Sequence, residues 1–72
     1  MRSGVIKTVT NGQNGSSGEI TDSESRQDVR FYDIVITRTT PSHVPAVGDP
    51  VTYEQNSSGT VTSITDDWRT SY

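Results

Sequence analysis

Of the aliphatic side chains in this 72-residue sequence, eight are valine, five are isoleucine and none is leucine. Two heavy atoms on Cβ restrict χ1 and crowd a helix, whereas the same branching packs well on a pleated surface. Serine and threonine add 21 residues, and alanine occurs once. The chain is therefore read as all-β. Disorder is the competing reading, since Gly, Ser, Asn, Thr and Asp are abundant. The apolar residues, however, fall into short clusters separated by turn chemistry.

Those clusters define five strands. Gly4-Val5-Ile6-Lys7-Thr8-Val9-Thr10 is the first, closed by Asn11-Gly12 and Asn14-Gly15, pairs that tolerate positive φ. A second spans 18–22 with Ile20 as its core residue. The third starts at Asp28, with Val29 and Phe31 inward against Arg30 and Tyr32 outward. Its phase then slips, because Asp33 separates Tyr32 from Ile34, and a bulge or single helical turn near Asp33 would restore the inward face. Residues 37–50 read as a long connection holding Pro41, Pro45 and Pro50, pinned to the body by Val44 and Val47. Val51 and Tyr53 point inward from a fourth strand, and Val61 and Ile64 from a fifth spanning 60–65. Residues 66–72 are expected to be a flexible tail.

Twenty hydrophobic residues (28%) make a small core, so the domain must close efficiently. Closing five antiparallel strands into a barrel would remove exposed edges. The five-stranded Greek-key form of such a barrel is the OB-fold and an SH3-like barrel is its nearest rival; length and strand spacing alone do not separate the two. Without cysteine, no disulfide or thiolate metal site is available. No apolar run is long enough for a membrane span and no secretory leader is evident, so a cytoplasmic monomer without cofactor is expected. No nucleophile–base pair, phosphate loop or catalytic carboxylate spacing stands out, which points away from an enzyme. His43, the lone histidine, reads as a solvated loop residue with no converging metal ligands. Glu19, Asp22, Glu24 and Asp28 read as a solvated acidic edge rather than a calcium site.

Several of these segments together resemble bacterial cold-shock domains. Gly4-Val5-Ile6-Lys7 is similar to their G-x-V-K opening, and Gly15-Ser16-Ser17-Gly18-Glu19-Ile20 occupies the place of their G-F-G-F-I stretch. Asp28-Val29-Arg30-Phe31-Tyr32 resembles the D-V-F-V-H strand, and Val47-Gly48-Asp49-Pro50-Val51-Thr52-Tyr53-Glu54 the E-G-x-x-V-x-F-E strand. The likeness covers about residues 2–65, expected to form the OB domain, and the long 37–47 segment falls at the family's longest loop. It implies an aromatic sheet face for single-stranded RNA or DNA, where each stacked base contributes about 1–3 kcal/mol.

That platform is much reduced here. The family's stacking aromatics fall on Thr8, Val9, Ser17, Glu19, Arg30 and Asp33, and its histidine on Tyr32, while Lys7 is kept. The resemblance thus implies weak single-strand binding by Lys7, Thr8, Ser17, Glu19, Arg30 and Tyr32. A protein-interaction module, using the polar sheet face or the 37–50 loop, is the alternative. A third reading gives the chain an accessory role, with Trp68 and Arg69 as partner anchors.

Overall fold

The structure, a computed structural model, describes residues 1–69. Six strands form one sheet: β1 (Arg2–Gly12), β2 (Gly15–Asp22), β3 (Asp28–Ile34), β4 (Thr37–Arg38), β5 (Pro50–Gln55) and β6 (Val61–Asp66), in the order β3-β2-β1-β5-β6-β4. The described residues contain no helix, and hence none long and apolar enough to cross a membrane. The all-β reading holds.

β1 and β2 form a hairpin whose last pair is Gly12 with Gly15. The turn is therefore Gln13-Asn14, and the strand runs through the Asn11-Gly12 pair expected to end it. Gly15 has φ 136°, and a Cβ there would lie 2.7 Å from the Asp33 carbonyl carbon. Only glycine fits.

The main difference from expectation lies after β3. Ser16 pairs with Ile34 and Gly18 with Phe31, so Tyr32 and Asp33 together oppose the single residue Ser17. Asp33 adopts φ 50°, which makes this the expected bulge. Beyond it the chain turns Ile36 into the core and pairs Thr37 with Thr65 and Arg38 with Asp66, parallel to β6. The first residues of the supposed loop thus become a sixth strand. Three Cα steps, at most about 11 Å, join Ile34 to Thr37. A flat six-stranded sheet would hold its edges roughly 24 Å apart. The sheet must therefore curl until its edges approach. No ladder joins β3 to β6. The pairing forms a curled, open sheet rather than the expected hydrogen-bonded five-stranded ring.

Inside the curl lie Ile6, Ile20, Phe31, Ile36, Val51, Tyr53, Val61 and Ile64, with Val9, Val29 and Ile34 packed against them. Each buried side chain of this size is worth about 1.5–3 kcal/mol, which is how a leucine-free chain of this length holds together. β1 also carries a bulge: Ile6 pairs with Ile20 and Thr8 with Glu19, leaving Lys7 as the extra residue.

Asp22 is buried, not part of a solvated edge. Its carboxylate accepts the Tyr53 hydroxyl, Arg2 Nε at 2.9 Å and the Glu24 and Ser25 amides at 2.9 Å each. The long loop is held differently from expectation. Val44 and Val47 are exposed and Pro45 is buried. Gly48 N–H donates to Ile6 O and Ile6 N–H to Asp49 O, which ties the end of the loop to β1. Asp66, the first residue of the supposed tail, completes β6, while 70–72 lie outside the described residues.

Candidate functional sites: the outer sheet face and a buried His–Asp cluster

Alternation along β1, β2 and β3 places one set of side chains outside the curl. Thr8 pairs with Glu19 and Glu19 with Arg30, so these three form a row across the strands. Tyr32 follows Arg30 on β3 and is 65% exposed. Proximity of the Tyr32 hydroxyl is the main cause that raises the Arg30 guanidinium above its ordinary pKa. Five of the six expected contact residues therefore share one face: Lys7, Thr8, Glu19, Arg30 and Tyr32. Ser17 is committed to the backbone, since its Oγ accepts the Asp33 N–H at 3.1 Å and so satisfies the bulge.

The charges on this face are matched internally. Lys7 Nζ donates to Asp28 Oδ2 at 2.5 Å, and Thr21 Oγ1 donates to Asp28 Oδ1 at 2.9 Å. The Lys7 contact lowers the Asp28 carboxyl pKa and raises that of the Lys7 ammonium. Arg30 Nε lies 4.0 Å from Glu19 Oε2. Asp28, read from the sequence as part of a solvated acidic edge, is the acid that holds Lys7. The β1 bulge explains this partner, because the extra residue sets Lys7 where it can reach across β2 to the start of β3. Breaking such exposed pairs costs only about 0.2–1 kcal/mol each, so the cations remain available at a discount.

A second cluster was not legible in the sequence. His43 is not solvated: its side chain is 21% exposed, its Nε2 lies 2.7 Å from Asp49 Oδ2, and its ring stacks on Trp68 with centroids 3.8 Å apart and planes 11° from parallel. Asp49 Oδ2 also accepts the Ala46 N–H at 3.1 Å. Asp66 on β6 completes the group, with both aspartates buried. One ligand atom from each of His43, Asp49 and Asp66 lies within 4.8 Å of the others. Burial and then the neighbouring Asp49 raise the Asp66 carboxyl pKa; burial also pushes Asp49 up, but its neighbours Asp66 and His43 outweigh that and leave it lowered. Trp68 thus folds back onto the loop. Its N–H donates to Asp66 Oδ1 at 2.8 Å, and Thr40 Oγ1 donates to its carbonyl at 3.0 Å. One indole face is covered by His43, while Arg69 is exposed. The β5–β6 ladder, which pairs Val51 with Asp66, sets Asp49 near Asp66, and the parallel pairing of β4 with β6 brings the loop that carries His43 to the same end; no local sequence pattern encodes the β4 pairing.

A cleft of about 230 Å³ lies between the β1–β2 hairpin tip and the loop, lined by residues that include Gly15, Val35, Arg38 and Val44. No protein-family model, curated protein or solved structure matches this chain.

Proposed function

We propose that this chain is a non-enzymatic OB-type domain of the cold-shock kind that takes single-stranded nucleic acid weakly on the outer face of β1, β2 and β3. The order of pairing supports the fold: β1 is flanked by β2 and β5, and the continuation of β3 runs parallel to β6. An OB barrel is partly open and uses its second and third strands to meet oligonucleotides. The observation that carries the function is the exposed Arg30–Tyr32 pair on β3, 71% and 65% exposed, where the cold-shock resemblance sets its stacking residues. Tyr32 offers one base a ring and Arg30 a stacking plane or a phosphate contact.

Magnitudes set the affinity. One stacked base contributes about 1–3 kcal/mol, and each phosphate must displace a carboxylate already seated on Lys7 or Arg30. A dissociation constant near 1 mM corresponds to about 4 kcal/mol, and that is the range expected at low salt. Titration of isotope-labelled protein with short oligo-dT and oligo-U tests it. Amide shifts should cluster at Lys7, Thr8, Glu19, Arg30 and Tyr32 and fade as salt rises. An unmoved outer face at several millimolar oligonucleotide would remove nucleic acid as a direct ligand.

A different observation favours a protein partner on the same scaffold. Val35 and Val44 are 79% and 53% exposed beside the hairpin cleft, while both outer-face cations have acidic partners. On that reading Val35→Ser and Val44→Ser weaken partner capture, and outer-face variants leave it intact.

A further inference from the structure

Asp49 and Asp66 are 5% and 2% exposed, brought from two elements against the chain's single histidine. Asp66 Oδ1 accepts the Trp68 N–H, but Asp66 Oδ2 is the one buried side-chain polar atom among the described residues with no hydrogen-bond partner. A buried carboxylate oxygen without a donor is unfavourable, and a second carboxylate beside it makes matters worse. With both carboxylates ionised the pair would carry a charge of −2, which a bound divalent cation cancels.

We propose that His43 Nε2 and the carboxylates of Asp49 and Asp66 form a binding site for a divalent transition-metal ion, with Zn²⁺ the best fit and a water completing the coordination. The donor set decides the metal. Calcium and magnesium prefer six or more oxygen ligands, whereas one imidazole and two carboxylates supply the three protein ligands common around zinc. The ligand atoms already lie within 4.8 Å of one another. Zinc bonds of about 2.0–2.2 Å need donors roughly 3.3 Å apart. His43 Nε2 and Asp49 Oδ2, now 2.7 Å apart, need to separate by well under an ångström. His43 lies in the 39–49 loop, outside the strand ladders, and the stacked Trp68 ring keeps the imidazole plane in place. Bound metal would staple the 39–49 loop to the end of β6, beside the two-residue pairing of β4. This site stands independently of the outer-face reading, since it shares no residue with it.

The test uses the full chain and the ions alone. Zn²⁺ is titrated while the His43 ring nitrogens are followed by NMR and Trp68 by fluorescence, with Mg²⁺ and Ca²⁺ in parallel. One equivalent should shift the Nε2 resonance, change the Trp68 emission and raise Tm by several degrees, and EDTA should reverse all three. Asp66→Asn, which changes neither shape nor the oxygen that holds the Trp68 amide, should fold and lose the response. His43→Ala should lose it too. Unmoved His43 ring signals at millimolar Zn²⁺ would overturn the site, as would binding of undiminished affinity in Asp66→Asn. Tighter binding of Ca²⁺ than of Zn²⁺ would overturn the choice of metal.

Discussion

Tyr32 and Gly18 sit one strand apart, yet substitution should do opposite things to them. Tyr32 points outward, so Tyr32→Ala should change stability by no more than about 0.5 kcal/mol while abolishing any oligonucleotide shifts. Thermal melts and the titration read the two effects separately. Loss of folding in Tyr32→Ala would mean that the β3 phase is wrong. At Gly18 a Cβ would stand 2.1 Å from the Thr8 carbonyl oxygen and 3.0 Å from the Val9 Cα. These are backbone atoms of a paired strand and cannot swing aside. Gly18→Ala should cost about 3 kcal/mol, measured by denaturant unfolding, with the spectrum of any folded fraction shifted along β1. At this scale the sequence was informative about direction and silent about partners. Alternation placed Arg30 and Tyr32 outside and Phe31 inside, but nothing in it showed that Lys7 would seat on Asp28. That pair depends on a bulge that single-residue patterns do not reveal.

Among the elements, the bulge of β3 decides most. Asp33 at φ 50° lets two residues oppose Ser17 and sends Ile36 inward, and from there β4 reaches β6. Aspartate visits this region more readily than most residues, but a β-branched one does not. Asp33→Val should therefore cost about 1–2 kcal/mol, while Asp33→Gly should be neutral or slightly stabilising; paired urea curves would show the split. Equal effects of the two would mean that φ at position 33 is not what the bulge requires. This junction also marks how far the sequence could be read. The Tyr32-Asp33-Ile34 phase slip and the inward residues of β5 were legible, because strands with one buried face follow a period of two; in β6 Val61 and Ile64 were legible only as the apolar positions, since a register shift that skips Thr62 breaks that period. The extra strand, β4, was not legible, since two residues carry no period and prolines downstream made the region look like loop. The His43 cluster stayed hidden for the same reason.

For the molecule as a whole, stability against acid should turn on one buried carboxylate. Asp22 ties the end of β2 to Tyr53 on β5 and to Arg2 at the start of β1. The Tyr53 hydroxyl, then the Ser25 amide and Arg2, hold its carboxyl well below the usual carboxylate range. In the unfolded chain the same group titrates near 3.9. Between the lower folded value and that unfolded value, the unfolded state binds more protons, so stability rises with pH across this window. The contribution is complete above about pH 5 and is lost progressively as pH falls below about 4. Melts from pH 7 down to pH 2 should therefore show Tm dropping at the acid end, and Asp22→Asn should start lower and fall less. Tyr53→Phe removes the hydroxyl that does most to depress the Asp22 carboxyl while keeping the ring that fills the core, so its acid-induced loss should be shallower than wild type's. If Asp22→Asn instead tracks wild type in parallel down to pH 2, the acid transition belongs to other carboxylates. The curled sheet would then not depend on Asp22 to hold β1, β2 and β5 at that end.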